Sequence, residues 1–427
     1  MRSTIIGSFV LVICAGLFTT LTATTATQAP PETLYFTVVD KGTVQTFRNR
    51  LADPERHYVV TGQPVPGTAS ITFSLSSHES AFVVEGVPSG EAPLPGELGR
   101  LGSFRLVKTD QGYTDPHQWL GNHKWYAERV SGKTKTVLPG KPAPQLSWNK
   151  LSKGRDLTID TSYMFTLLEE LGGERPVDLG GELVSLGERR STEGRDNIRA
   201  WLELRFEEMG FNTGEHQYGQ ALFRGTNFIA TRDNPLTDEY VMVTAHIDSV
   251  GNQGVDDDGS GVISAMTLLK AVSQLETRYD LVFLGFDQEE LGLIGSAAYA
   301  EDLNEQGFPG LVGVVNIEMT AFDGDNDGAL HVIHCNENTS AQLAEPFHQA
   351  LASEDLNLQL VDACTNRSDH ASFWRYDRPA IVISQNFFGG DSNPCYHRTC
   401  DKLDGIHTDY MERVTTALAR GLASLVE

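Results

Sequence analysis

The residues His246-Ile247-Asp248 directly follow an apolar run, Tyr240 to Ala245, that has the composition of a buried strand. In an extended chain, side chains two residues apart point to the same side, so Asp248 can orient the imidazole of His246. A metal-bound histidine usually donates its second ring N–H to such a carboxylate. An isolated His-x-Asp is also typical of a solvated strand end, so this motif needs partners elsewhere in the chain.

The acidic run Asp256-Asp257-Asp258 is followed by glycine and serine and leads into a helical pattern. Three adjacent carboxylates repel one another, and they are tolerated on an open loop or beside a cation that neutralises them. One carboxylate has two oxygens and can bridge two ions that are about 3.5–4 Å apart. The run therefore indicates either a turn that caps the helix or part of a two-metal site.

Glu289 and Glu290 follow a second apolar run, Leu281 to Phe286. In a loop the two side chains diverge, so one glutamate can bind a metal ion while the other accepts a proton from the attacking water. An acidic pair at the start of a helix, where the helix dipole favours it, is the alternative interpretation.

Two further candidates come later in the chain. Glu318 ends the run Asn316-Ile317-Glu318-Met319, and a second histidine is either His370 or His397, between which spacing alone does not decide. Two histidines and three carboxylates, with no cysteine needed, are the ligand types that suit zinc.

The elements that would position these residues alternate between strand and helix patterns. A helix is predicted from Thr192 to about Gly210, and a second one runs through Val262 to Val272. Such alternation predicts an α/β fold, a three-layer sandwich with a mainly parallel central sheet, whose sites form beyond the carboxyl ends of the strands. The strands are predicted at 227–231, 240–245, 281–286, 312–319, 330–333 and 380–384.

The amino-terminal part of the chain has a different character. Residues 1–29 combine Arg2 with an apolar run and small residues, which predicts a signal peptide. Residues 30–150 carry short alternating runs at 34–39, 71–75 and 81–84, which predict a small β-rich region. This region would be a propeptide, an accessory module or a packed extension, and residues 151–427 would form the α/β domain that carries the candidate site.

The net charge limits the possible binding partners of the protein, and the cysteines bear on the cellular compartment in which it works. A net charge of −24 argues against nucleic acid or an anionic membrane as the main partner. Cys14 would leave with the signal peptide, and four cysteines can pair in three ways. The short separation of Cys395 and Cys400 favours joining them, which leaves Cys335 with Cys364. We expect a secreted or periplasmic protein with no stable membrane association after signal cleavage.

Taken in order, the motifs resemble the secreted bacterial leucyl aminopeptidase family of di-zinc exopeptidases, which is related to glutamate carboxypeptidase and glutaminyl cyclase. The resemblance spans about residues 180 to 425 and depends on several motifs in one order. These motifs are His246-Ile247-Asp248, Asp257 in Asp-Asp-Asp-Gly-Ser-Gly, Glu289-Glu290-x-Gly-Leu-x-Gly-Ser, Asn316-Ile317-Glu318-Met319, Ser368-Asp369-His370 and Asn393-Pro394-x-x-His397.

The resemblance implies two Zn²⁺ per chain and a role for each motif. Asp257 would bridge the two ions, and the peptide bond from Asp257 to Asp258 would be cis. Glu289 would be the general base, and Asp248 would orient His246. The other ligands would be His246 and Glu318 on one ion, and Glu290 and His397 on the other.

One departure from the family leaves alternatives open. The family's aminopeptidases typically have Asp where this chain has Glu318, and related di-zinc carboxypeptidases can use Glu there. We expect a monomeric aminopeptidase that acts on peptides with a free N-terminus. A carboxypeptidase, a glutaminyl cyclase with one zinc and a non-catalytic binding domain are the alternatives. Residues expected near the substrate's first side chain are Met319, Ile383, Phe387 and Phe388.

Overall fold

The fold is described from a computed structural model, which covers most of the chain beyond residue 157. The described residues are 33–40, 56–61, 68–74, 80–85, 92–94, 96–101, 104–109, 126–130 and 157–427, without 220–223, 234–236 and 338. The predicted signal peptide, 1–29, and the predicted boundary near residue 150 lie outside this part of the chain. The predicted division into domains therefore stays a prediction.

The amino-terminal region contains two small antiparallel sheets, as its alternating sequence predicts. In the first, β1 (Thr33–Asp40) pairs with β2 (Arg56–Thr61) and β3 (Ser70–Ser74). The second has the order β5-β6-β4-β7, which comprises β4 (Ser80–Glu85), β5 (Glu97–Leu101), β6 (Phe104–Thr109) and β7 (Tyr126–Val130). Phe36, Phe73, Val83 and Phe104 are buried in one apolar cluster.

An eight-stranded mixed sheet forms the centre of the remaining chain, after a short hairpin of β8 (Val177–Asp178) and β9 (Leu183–Val184). Its strand order is β10-β11-β13-β12-β14-β17-β15-β16. The middle strands are parallel, since β12 pairs in parallel with β13 and β14, and β14 with β17. The antiparallel pairs lie toward the edges. The strands are β10 (Asn212–Tyr218), β11 (Gly225–Arg232), β12 (Tyr240–His246), β13 (Asp280–Phe286), β14 (Leu311–Glu318), β15 (Ala329–Ile333), β16 (Gln359–Leu360) and β17 (Ala380–Gln385).

Helices cover both faces of this sheet, so the predicted α/β layering is confirmed. Strand β14 is buried at every position, as expected for a central strand with both faces covered. Side chains of α1, α2, α3, α5 and α7 contribute to one apolar core, and those of α4 and α6 to the other. The helices are α1 (Thr161–Leu171), α2 (Thr192–Glu208), α3 (Gly261–Val272), α4 (Ile294–Glu305), α5 (Ser340–Leu351), α6 (His370–Trp374) and α7 (Thr408–Val426).

The two helices predicted from sequence begin and end near the expected residues. Ser191 caps α2 by accepting a hydrogen bond of 3.0 Å from the backbone N–H of Gly194. Gly210 follows the helix with a φ of +79°, a conformation that glycine adopts without the steric cost of a Cβ atom.

Two disulfides join the cysteines in the pairing that the sequence favours. Cys335 bonds Cys364, and Cys395 bonds Cys400. Within the described residues, no helix combines the length and apolar character needed to cross a bilayer.

Candidate metal centre

The five candidate ligands converge at the carboxyl edge of the central sheet. His246 and Glu318 are the last residues of β12 and β14, which are adjacent parallel strands and therefore end at the same edge. Asp257 lies in a kinked turn, Val255–Ser260, between β12 and α3, and its own backbone angles are not helical. Glu290 lies in the loop after β13, and His397 lies in the loop after β17.

Asp257 stands between the two imidazoles. Its Oδ1 atom is 3.0 Å from Nε2 of His246, and its Oδ2 atom is 3.0 Å from Nε2 of His397. Each carboxylate oxygen thus faces a different imidazole. This is the arrangement needed for one carboxylate to serve two neighbouring cations.

The remaining two carboxylates each join one imidazole. Oε2 of Glu290 is 3.0 Å from Nε2 of His397, and Oε1 of Glu318 is 3.5 Å from Nε2 of His246. The five donors therefore form two sets that share Asp257. All five residues are buried and offer imidazole nitrogen or carboxylate oxygen, the donor types found in zinc sites, so the residues present fit a pair of zinc ions.

The protonation of this cluster reflects its crowded negative charge. Burial opposes ionisation of Asp257, but hydrogen bonds from His246 and His397 outweigh it and hold the pKa of Asp257 below its usual range. Burial, together with the charge of Asp257, raises the pKa of Glu290 to about 7. Although burial lowers the pKa of His397, Glu290 and Asp257 raise it to about 10. The carboxylates therefore favour any cation that enters the cluster.

Asp248 connects the first histidine with the glutamate pair. Its Oδ1 atom is 3.5 Å from Nδ1 of His246 and accepts a hydrogen bond of 3.0 Å from the backbone N–H of Glu289. Its Oδ2 atom accepts a hydrogen bond of 3.3 Å from the backbone N–H of Glu290. The carboxylate of Asp248 thereby holds the loop that carries the two glutamates, and the backbone carbonyl oxygen of Asp248, 3.2 Å from Nδ1, is the hydrogen-bond partner of the His246 ring.

Glu289 lines the same cavity as Asp257, Glu290 and Glu318, and it is half-buried. Within the described part of the chain, no hydrogen bond ties its carboxylate to another residue. Burial raises the pKa of Glu289 well above its usual range, and the charges of Glu318 and Glu290 add to this rise, although His246 opposes it. Glu289 is thus an acidic side chain in this cavity whose carboxylate is not hydrogen-bonded to another described residue.

The cavity beside the cluster has an apolar wall. Met319, Phe387 and Phe388, which were expected near the substrate, line it. The expectation for Ile383 is wrong, because Ile383 is fully buried in the core on the other side of β17. Side chains alternate between the two faces of a strand, so the residues next to Ile383 on β17 face the cavity instead. These neighbours are Val382 and Ser384.

His370, the rival of His397, does not reach the cluster. It begins α6 and is fully buried, with its Nε2 atom 3.0 Å from the carbonyl oxygen of Thr365 and its ring edge-on to Trp374. Burial lowers the pKa of His370 to about 4, so its ring stays neutral. The structure therefore brings His397, and not His370, to the site.

Arg189 is a supporting residue that sequence patterns did not indicate. Its side chain is buried and donates hydrogen bonds to the carbonyl oxygens of Ile247, at 2.9 Å, Gln253, and Gly254, at 2.9 Å. These carbonyls belong to the loop between His246 and Asp257. Arg189 stands in an ordinary charged run, Glu188-Arg189-Arg190, which carries no signal of this role.

The carboxylate of Asp258 is hydrogen-bonded to backbone groups at and beside the strand ends that carry the ligands. Its carboxylate accepts hydrogen bonds from the backbone N–H groups of His246 at 3.1 Å, Gly261 at 3.1 Å and Met319 at 2.9 Å. The peptide bond between Asp257 and Asp258 is cis, as the resemblance implies. Asp257 and Asp258 thus have different surroundings although they are adjacent.

Comparison with known sequences shows what this region is similar to. Residues 227–421 match the sequence profile of Peptidase family M28. The chain is 26% identical over 253 residues to leupeptin-inactivating enzyme 1 of Streptomyces exfoliatus, covering 54% of this chain and 56% of that protein. It is 26% identical over 216 residues to aminopeptidase Y of Saccharomyces cerevisiae, covering 47% of this chain and 39% of that protein. The matches thus span about half or less of these relatives' own length.

Solved structures share the fold at lower sequence identity. The aminopeptidase LapA of Legionella pneumophila superposes with a TM-score of 0.65 at 19% identity, covering 82% of this chain and all of that one. BSAP, a zinc aminopeptidase from Bacillus subtilis, superposes with a TM-score of 0.55 at 13% identity, covering 64% and 96%. A glutaminyl cyclase of Fimbriiglobus ruber superposes with a TM-score of 0.51 at 17% identity, covering 66% and 99%. Residues 227–421 are thus similar to Peptidase family M28 in sequence, and the chain shares the fold of these solved aminopeptidase and glutaminyl cyclase structures.

Proposed function

We propose that this protein is a zinc-dependent exopeptidase that removes N-terminal amino acids from peptides. The observation that carries the proposal is the position of Asp257 between His246 and His397, 3.0 Å from each, beside Glu289. Relatives named as aminopeptidases support the reaction class, although the chain spans only part of their length.

Two zinc ions would be held by the two sets of donors that share Asp257. His246 and Glu318 would bind one ion, and His397 and Glu290 the other. Zinc bound there would polarise the scissile carbonyl and lower the pKa of the attacking water. Asp248 would keep the ring of His246 in the orientation and tautomer that a ligand needs.

Glu289 would act as the general base. A group in this role must accept a proton from water and later donate it to the leaving amine, which requires a pKa nearer to neutrality than that of an exposed glutamate. The burial and the neighbouring carboxylates that raise the pKa of Glu289 supply this condition. Its freedom from side-chain hydrogen bonds leaves it able to move between the two partners.

The lining of the cavity offers contacts for the amino-terminal end of a peptide. Carboxylates at its base would attract the α-ammonium group of a substrate, and the apolar wall of Met319, Phe387 and Phe388 would contact the first side chain. Arg367 also lines the cavity, and a carboxypeptidase would use such a cation to bind the substrate's terminal carboxylate, so the substrate test below decides the direction.

We also propose that the protein works as a monomer outside the cytoplasm. The disulfides Cys335–Cys364 and Cys395–Cys400 favour an oxidising compartment, and the sequence of residues 1–29 favours export.

Metal content and substrate direction test the proposal together. We expect two zinc ions per chain by elemental analysis, and hydrolysis of leucine p-nitroanilide but not of its N-acetylated form. Release of C-terminal residues from N-blocked peptides would instead indicate a carboxypeptidase. One zinc per chain and cyclisation of an N-terminal glutaminyl peptide would indicate a glutaminyl cyclase.

A further inference from the structure

The loop that carries His397 is closed by a disulfide. Cys395 and Cys400 flank His397, and their Cα atoms are 5.2 Å apart. The imidazole of His397 is buried, whereas residues 398–400 are exposed. A bond that solvent can reach therefore lies within a few residues of a candidate zinc ligand.

The backbone at His397 has a conformation that residues with a Cβ atom rarely adopt. Its φ angle is +57°, in the left-handed region. Such a conformation persists only where surrounding contacts enforce it. The ring of His397 also stacks on that of Tyr396 at 3.8 Å between centroids. The loop must therefore be held firmly for the imidazole to stay in place.

Both ends of this loop are tied to the segment that carries Asp257. The side-chain amide of Asn393 donates a hydrogen bond of 2.7 Å to Oδ2 of Asp256. At the other end, Asp401 accepts the backbone N–H groups of Asp256 at 2.8 Å and Asp257 at 3.1 Å. The disulfide closes the chain between these two anchors, in a stretch where the carbonyl oxygen of Arg398 also accepts a hydrogen bond of 3.0 Å from the side chain of Asn252.

The other half of the site is held differently. His246 and Glu318 end two adjacent strands, and the sheet itself fixes them. The second disulfide, Cys335–Cys364, encloses none of the five candidate ligands. Apart from Asp257, which both sets share, the two halves therefore depend on different parts of the fold.

We infer that the Cys395–Cys400 disulfide sets the affinity of the metal position formed by His397 and Glu290, so that reduction of this bond weakens that position alone. The inference rests on the proposed two-zinc function. An added dithiol would supply two electrons and two protons, cleaving the S–S bond to two thiols and itself becoming a disulfide. From the chain entropy that a disulfide removes in a loop this short, we expect an affinity about 10- to 30-fold lower.

Zinc titration of the metal-free protein tests the inference without measuring activity. The double variant Cys395→Ser, Cys400→Ser removes the bond and leaves no thiols that could bind zinc themselves. Calorimetry should show two binding steps, one as in the unaltered protein and one weakened. The control variant Cys335→Ser, Cys364→Ser removes the other disulfide. Its zinc affinity should equal that of the unaltered protein at the binding step that is weakened in the first variant.

Two results would overturn the inference: unchanged affinity at both steps, or an equal loss at both steps. If the variant does not fold, the unaltered protein can be loaded with zinc and treated with a phosphine reductant. We then expect a chelator to remove one of the two zinc ions. Retention of both ions would contradict the inference. Failure of the proposed function has another signature. In that case the unaltered protein would bind no zinc pair, or would bind it and hydrolyse no peptide.

Discussion

The hydroxyl of Ser368 donates a hydrogen bond of 2.6 Å to Oε2 of Glu318. Ser368 is itself held by the side chain of Asn316, which donates to its hydroxyl at 2.6 Å. The other carboxylate oxygen, Oε1, is the one that faces His246. Ser368 therefore restrains the longer side chain that this protein has in place of the family's usual aspartate.

Removing that hydroxyl should weaken one metal position. We expect Ser368→Ala to lower the zinc affinity of the position formed by His246 and Glu318 by about tenfold or more, because the partners of metal ligands contribute on this scale. Zinc titration of the metal-free protein measures it. Ser384→Ala changes another serine of the same cavity and should keep both affinities. Equal affinities for Ser368→Ala and the unaltered protein would contradict the prediction.

Glu289→Gln should separate metal binding from turnover. Glutamine keeps the size of the side chain but cannot accept a proton, so we expect kcat to fall by about 10²- to 10⁴-fold. The zinc content should stay at the value of the unaltered protein, because Glu289 is not among the five proposed ligands. Steady-state kinetics with elemental analysis checks both points. Glu207→Gln, on the exposed face of α2, is the matched control. Near-normal turnover of the Glu289→Gln variant would refute the role of Glu289 as the base.

Arg189→Met should destabilise the domain. The substitution leaves two buried carbonyl oxygens and one partly buried carbonyl oxygen without their donor, and we expect the free energy of unfolding to fall by about 3 kcal/mol. Urea unfolding of the metal-free protein measures the loss. Arg190→Met alters the neighbouring, less buried arginine and should cost much less. Similar losses in both variants would show that the buried hydrogen bonds are not the cause.

His370 should make the fold sensitive to mild acid. Its pKa is about 4 in the folded protein, below the ordinary value of 6.5, so between these values the unfolded chain binds more protons than the folded one. Stability is therefore lost as the pH falls from 6.5 toward 4. We expect this histidine to account for about 2 kcal/mol of the loss between pH 7 and pH 5.

The variant His370→Gln isolates this contribution. Its free energy of unfolding should change less between pH 7 and pH 5 than that of the unaltered protein, because glutamine does not titrate. Urea unfolding of both metal-free proteins at the two pH values gives the difference. An identical pH dependence would show that other buried groups cause the acid sensitivity.

Much of the central sheet could be predicted because its strands are short apolar runs bounded by polar residues. The runs at 240–245 and 281–286 became β12 and β13 with shifts of one residue at their ends. The parallel arrangement of the middle strands was also predictable, but the antiparallel pairing toward the edges of the sheet was not. Pairing at a sheet edge depends on how the connecting chain returns, which local composition does not record.

The amino-acid sequence by itself determined which donor groups the chain offers and that His246, Glu290 and Glu318 would stand at or after strand ends. Spacing left His370 and His397 open and the resemblance favoured His397, which the tertiary structure places beside Asp257. Only the tertiary structure decided that Ile383 turns to the core, and that Arg189 and Asp401 hydrogen-bond the backbone of the segment that leads to Asp257. The physical reason is that residue types and local periodicity are properties of neighbouring positions. Distances between segments far apart in the chain arise from the packing of the whole sheet and its helices.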